Sequence, residues 1–282
     1  MKRALIFLIA FSLFCGMVRI PFCGAAEPAD DEPGVVETVK ERGILNWTKS
    51  YIESTGVGVV PKNMRGPQGK ALARRGAIVD LQRNLLEFMV GAQIDGRTTL
   101  DNFMADDLVR QQVEGTIQGV EVLDGLWDGE SYTVSGRIRL PQIRQIVVGV
   151  PAIKEKISVV PPDPVEEKKP KSARYTGLVI DVRHLPLVPS MTFNVLDGNG
   201  RAVYGMSFVD YENYLQSGLC AYYNNINYAR GEVHVASNPI VVQAVRLASG
   251  NVDIVISNAD AAKVRSSSYD FRRECKVIVV CK

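Results

Sequence analysis

"GKALARRGAIVDLQRNLLEFMVG", residues 69–91, carries the strongest helical pattern in the chain. On a helical wheel Ala77, Ile78, Leu81, Leu85, Phe88 and Met89 share one face, and Asp80, Arg83, Asn84 and Glu87 lie opposite. A helix so divided buries one side on a sheet, and Gly91 is a fitting stop. Arg74 is the anomaly, because it falls on the apolar face one turn before Ile78. A buried guanidinium is costly unless paired. The expectation is therefore structural: the Arg74 stem packs on the sheet and its head meets a carboxylate or backbone carbonyls.

The flanks supply that sheet. Upstream, residues 44–60 are β-prone but interrupted by Gly56 and Gly58, and the loop "PKNMRGPQGK" leads into the helix. Downstream, "QIDGRTTL" precedes a shorter helix expected near Asp106 to Glu114, with Val109, Val113 and Ile117 at four-residue steps and Gly115 limiting its length. The period then changes. Val120–Leu123 and Tyr132–Leu140 bracket "DGLWDGES", whose Asp128-Gly129 signals a turn. In the second run Tyr132, Val134, Ile138 and Leu140 alternate with Thr133, Ser135, Arg137 and Arg139, the mark of a half-buried antiparallel strand.

Residues 27–43, from "EPADDEPGVVETVK" onward, read as a flexible acidic leader, and 151–173, rich in Pro, Glu and Lys, as an interdomain linker. A second domain begins near Arg174. "YTGLVIDV" is a buried-type strand and "MTFNVLDGNGRAVYG" a hairpin around residues 198–200. "DYENYLQSGLCAYYNN" is a tyrosine-rich helix, and "NPIVVQAVRLA" and "VDIVIS" are strands. "NADAAKVRSS" is a helix capped by Ser257 or Asn258, and "CKVIVVC" is a closing strand. The fold class is α+β: a helix-on-antiparallel-sheet domain over 44–150, then a small mixed α/β domain over 174–282.

The opening "MKRALIFLIAFSLFCGMV" places basic residues before a short apolar run, as secretory signals do. Small residues before Glu27 suit cleavage after residue 26. Loss of that segment, with Lys2, Arg3 and Arg19 and no acid, leaves 30 bases against 31 acids. A nearly neutral chain argues against a nucleic-acid partner. Lys70, Arg74, Arg75 and Arg83 spread around their helix and form no phosphate-tracking stripe. Cys15 and Cys23 each follow a phenylalanine, a poor context for lipidation, yet peripheral membrane association stays open.

Catalytic signals are sparse. The chain has two histidines, His184 and His234, in no metal-binding spacing. "GPQGKA" fails as a phosphate loop: Met64 holds the first glycine position and Ala71 replaces the magnesium-binding Ser or Thr. "GVGVVP" precedes no helix. Asp181, Arg183 and His184 cluster at a strand end, where α/β domains build ligand sites. Three cysteines follow the signal: Cys220, Cys275 and Cys281. The last two flank an extended "KVIVV" that spans roughly 20 Å, too far for a mutual bond. Any intrachain bridge would use Cys220, from the tyrosine-rich helix; otherwise all three stay free.

Residues 44–140 resemble the bacterial envelope lipoprotein family of the LPP-twenty type, which is similar to the N-terminal domain of the T-type flagellar assembly protein. The marks are Ala73-Arg74, Ala77, Asp80, Asn84-Leu85, Gly91, Val113-Glu114-Gly115, and the Tyr132 and Val134 strand. The resemblance implies helices packed on an antiparallel sheet and an envelope role without catalysis. It carries no catalytic, cofactor or metal residue. The reading is an exported, non-enzymatic envelope protein, periplasmic or in the outer envelope. It binds other envelope proteins or peptidoglycan-associated components, in a flagellar or cell-wall setting, with no nucleic acid and no cofactor. The alternatives are an enzyme centred on Asp181 and His184, and a small-ligand binder using Tyr211–Tyr228.

Overall fold

The computed structural model describes residues 34–39, 42–150 and 173–282. The expected signal peptide, the first part of the leader and residues 151–172 of the linker lie outside them. The fold is α+β. In the first half, β1 (Val36–Val39), β2 (Gly43–Asn46), β3 (Tyr51–Val59), β4 (Glu121–Trp127) and β5 (Ser131–Arg139) form an antiparallel sheet in the order β1-β2-β3-β5-β4. Helix α1 (Gly66–Gly91) lies across β3 and β5, followed by α2 (Asp107–Gln118). The expected leader is corrected in part. Residues 36–39 form β1 because "VVETV" pairs with β2, Val36 opposite Asn46.

The helix-on-sheet contact is tighter than an ordinary apolar packing. A Cβ on Gly58 would lie 2.0 Å from the Ala73 carbonyl oxygen, and one on Gly56 2.2 Å from that of Ala77. These two glycines do not interrupt the strand; they let the helix backbone approach it. The buried stripe of α1 is accordingly Gly69, Ala73, Ala77, Leu81, Asn84, Leu85, Phe88 and Met89. Arg74 is exposed and Ile78 only half-buried, so the expected burial of Arg74 is overturned. The wheel weighted bulk, whereas the crossing selects small residues.

Asn84, expected on the solvent face, is buried and has a defined task. β2 pairs with β3 only as far as Ser54. Beyond it, the open backbone positions of β3 are met by α1: Asn84 donates to the Thr55 carbonyl at 2.8 Å, and Asp80 accepts from the Val57 amide at 3.0 Å. Two helix side chains one turn apart stand in for the missing strand.

Helix α2 is capped by Asp106, which accepts from the Leu108 and Val109 amides, and it runs past Gly115 because Ile117 is still buried. The β4–β5 turn is fixed by Asp128, whose carboxylate accepts from the Ser131 hydroxyl and the Glu130 and Ser131 amides; these bonds hold its pKa down at about 2. A helix absent from the sequence reading, α3 (Leu140–Gly149), follows β5 directly, with Pro141 in its first turn.

The second half holds two sheets. Strands β6 (Gly177–Asp181), β9 (Ala221–Tyr223), β10 (Pro239–Gln243) and β13 (Val277–Val280) form a parallel sheet in the order β10-β6-β13-β9. Strands β7 (Val195–Leu196), β8 (Ala202–Tyr204), β11 (Arg246–Ala248) and β12 (Asp253–Val255) form the other, in the order β11-β12-β7-β8. Helices α4 (Tyr211–Ser217), α5 (Ile226–Gly231) and α6 (Asn258–Ser266) complete it, with Ser257 capping α6 as expected. All four residues of β13 are buried, as its unbroken apolar run demands when both faces are covered. Cys220 precedes β9 rather than lying in the helix, which ends at Ser217. The three cysteines are free and buried.

The halves share one hydrophobic core. Arg144 of α3, only 4% exposed, donates from Nε to the Leu215 carbonyl (3.1 Å) and from Nη2 to that of Gln216 (2.9 Å), capping the end of α4. The Thr48 hydroxyl donates to the Tyr222 carbonyl at 2.6 Å. Between Gln93 and Thr192 the two backbones run together: Met191 N donates to Gln93 O and Thr192 N to Ile94 O, at 3.1 and 2.7 Å.

Candidate functional site

The strand-end cluster forms as expected but closes on itself. Asp181 ends β6, and Arg183 grips it with Nε on Oδ1 at 2.9 Å and Nη2 on Oδ2 at 2.7 Å. That pair holds the Asp181 carboxyl below its ordinary pKa, against a smaller opposing effect of burial. A carboxylate so engaged is a poor general base. His184 is exposed just beyond it. His234 lies at the other end of the parallel sheet: its neighbour Val235 packs on Gly177, the first residue of β6. Its Nε2 is 2.8 Å from the Cys275 carbonyl oxygen, and burial lowers its pKa. The two histidines therefore sit at opposite strand ends and share no site.

The tyrosine-rich segment is largely structural. The Tyr222 hydroxyl bridges Ser190, accepting from its amide and donating to its carbonyl. Tyr223 and Tyr228 pack ring to ring, centroids 5.1 Å apart. Burial pushes the Cys275 and Cys281 thiols up to about 12, the reverse of what a nucleophile needs. Among the described residues no group of three or more His, Cys, Asp or Glu could hold a metal ion, and no helix is long and apolar enough to cross a membrane.

A larger opening lies where the halves meet. It measures about 430 Å³ and draws on four segments: Asp95–Arg97, Thr192–Asn194, Met206–Ser207, and Ser249 with Asp253. Each wall is locally braced. Asp95 Oδ1 accepts from the amides of Arg97 (2.9 Å) and Thr98 (3.0 Å), shaping a tight turn. Asp253 Oδ1 accepts from the Asn194 amide at 2.7 Å. Ser249, Gly250 and Asn251 all have left-handed backbones, with φ of 48°, 70° and 66°, a conformation costly for serine. The two turns touch through backbone: a Cβ on Gly96 would lie 1.7 Å from the Ser249 carbonyl oxygen. Phe193 and Met206 give the cleft apolar surface. Arg97, Ser207, Ser249 and Asn194 add donors, and the two aspartates add acceptors. This composition suits recognition of a polar ligand or surface.

No residue of this cleft stood out in the sequence as a site, because four distant segments build it. The one local signal was the pair of turn patterns, "DGRT" at 95–98 and "SGN" at 249–251.

The family model for the second domain of Treponema pallidum Tp0624 matches residues 177–282. No curated protein matches the chain.

Proposed function

We propose that this is an exported, non-enzymatic protein of the cell envelope that works by binding another envelope component through the cleft between its halves. The carrying observation is the cleft itself, braced from both sides and lined by paired donors and acceptors. The family match supports treating residues 177–282 as a module found elsewhere. The N-terminal apolar run after Lys2 and Arg3 supports export. The engagement of Asp181 by Arg183 weighs against the enzyme reading, which needs that carboxylate free beside His184. Peptidoglycan-associated components and envelope proteins are the partner classes, in a flagellar or cell-wall assembly.

The test is site-directed photo-crosslinking in the native envelope. A photoreactive residue at Ser207, in the cleft, should trap one reproducible partner. The same residue at Leu108, exposed on α2, should not. Equal trapping from both positions, or from Leu108 alone, refutes the cleft. A double Asp181→Ala/His184→Ala variant should leave the cellular phenotype intact; its loss in a protein of unchanged melting temperature would favour the enzyme reading.

A further inference from the structure

Two charges in the cleft between the halves lack a counter-charge. Asp253, half-buried at the start of β12, uses Oδ1 to accept from the Asn194 amide at 2.7 Å and from its side-chain nitrogen at 3.3 Å. Its second oxygen has no partner among the described residues. The second half treats its other aspartates differently. Asp181, Asp197, Asp210, Asp260 and Asp270 each hold an arginine or a lysine within 3.0 Å. Asp253, the remaining aspartate of that half, holds no cation among the described residues.

Arg97 is the opposite case. Its amide is engaged by Asp95, but its guanidinium, exposed in the cleft wall, pairs with no group among the described residues. Arg97 and Asp253 line one opening of about 430 Å³ and form no ion pair with each other. The frame that carries them is stiff. Gly96, next to Arg97, meets the Ser249 carbonyl backbone to backbone, and Asp253 is tied to the strand residue that follows Phe193. Charges fixed before a ligand arrives lose little freedom when it binds.

Opposite charges set apart in one cleft match a ligand that carries both signs. An anion alone would leave Asp253 facing a like charge, and a cation alone would do the same to Arg97. The hydroxyls of Ser207 and Ser249 line the same opening, make no hydrogen bond among the described residues, and can donate to an oxyanion. Phe193 and Met206 are 3% and 6% exposed. They give a narrow apolar floor that suits methylene groups, and no open ring face on which a sugar could stack.

We infer that the cleft binds the zwitterionic head of an α-amino acid that is attached to an envelope component through its side chain. Arg97 takes the carboxylate, Asp253 takes the ammonium, and the side-chain stem leaves over Phe193 and Met206. The inference rests on the cleft reading above and narrows it to one chemistry.

Calorimetric titration of the full chain tests it, with norleucine, norleucinamide, N-acetylnorleucine and Nε-acetyl-lysine as probes. Norleucine should bind. Norleucinamide, without the carboxylate, and N-acetylnorleucine, without the ammonium, should each bind about tenfold more weakly or worse. Arg97→Gln should bring norleucine down to the affinity of norleucinamide and leave norleucinamide unchanged. Asp253→Asn, which keeps an acceptor for the Asn194 amide, should bring norleucine down to the affinity of N-acetylnorleucine. Unchanged circular dichroism and melting temperature check that both variants fold. Nε-acetyl-lysine binding as well as norleucine supports an attached head; its rejection beside bound norleucine would make the ligand a free amino acid and overturn the attachment. Equal affinity for norleucine and its two blocked forms, no binding of norleucine, or an affinity that either substitution leaves unaltered in a folded protein overturns the proposal. A partner still trapped from Ser207 after such a result would leave the cleft reading standing without this chemistry.

Discussion

The two halves satisfy their buried polar groups by opposite means. In the first, the sheet's open backbone is finished by side chains of α1, Asp80 and Asn84, and contact depends on bare glycine at 56 and 58. In the second, the central strands β6 and β13 are covered on both faces, and ionised side chains do the joining. Asp197, fully buried, accepts from Arg201 and Arg265. Burial alone would push its pKa up, yet those partners and the Arg201 amide hold it below the ordinary value. Arg144 crosses between the halves. The lesson is that close backbone approach tolerates no added atom, whereas a charged joint tolerates loss in proportion to the bonds it makes.

The sharpest test of that contrast is Gly58→Val. The new side chain would strike helix backbone, which cannot move aside as a flexible side chain can, so the loss should exceed about 4 kcal/mol in chemical denaturation. Gly91→Ala is the control, since nothing lies within 4 Å of its added Cβ. Comparable losses for the two would mean that the helix does not rest on β3.

Arg144→Met comes next. It would leave the Leu215 and Gln216 carbonyls unpaired at a buried helix end, at a cost of about 2–4 kcal/mol. Separate melting of the halves, followed by residue-resolved hydrogen exchange, would show that this residue also couples them. A stability equal to wild type would remove the charged joint from the comparison.

Asn84→Leu should cost about 1–2 kcal/mol, through the orphaned Thr55 carbonyl. An unchanged urea midpoint would show that β3 needs no finishing.

His234 makes the second half acid-sensitive. Burial depresses its pKa below 6.5, outweighing the Cys275 carbonyl. The unfolded chain then binds more protons than the folded one, so stability is full above about pH 6.5 and falls as pH drops through and below it. His234→Gln should flatten that slope between pH 6.5 and 5. A slope unchanged by the variant would place the sensitivity elsewhere. The smallest effect belongs to Arg74→Ala, expected within about 0.5 kcal/mol, matching Arg75→Ala; a larger loss for Arg74 alone would restore its burial.

Where pattern and physics coincide, the sequence was enough. The β5 alternation, the Asp128 turn, the buried β13 run and the Ser257 cap are local in origin, and all appear where the residues suggest. What failed was whatever depended on a partner. Arg74 looked buried because Ile78 is large, but the sheet chose alanines. Asn84 looked solvated because the missing strand beside Thr55 is invisible in a helical wheel. Helix α3 was overlooked because it is short and its Arg144 belongs to a partner 71 residues away. The cleft needs four segments, and Glu37 sits in a stretch whose acids and prolines suggested no structure at all.

The substitution of helix side chains for a strand along β3 has a further effect. An open strand edge is a template on which another chain can add itself. With Asp80 on the Val57 amide and Asn84 on the Thr55 carbonyl, two backbone groups of that edge are already engaged and are not offered to an incoming segment. These two residues therefore guard solubility as well as position the helix. A double Asp80→Ala/Asn84→Ala chain should fail first by self-association at high concentration, before its melting temperature falls far.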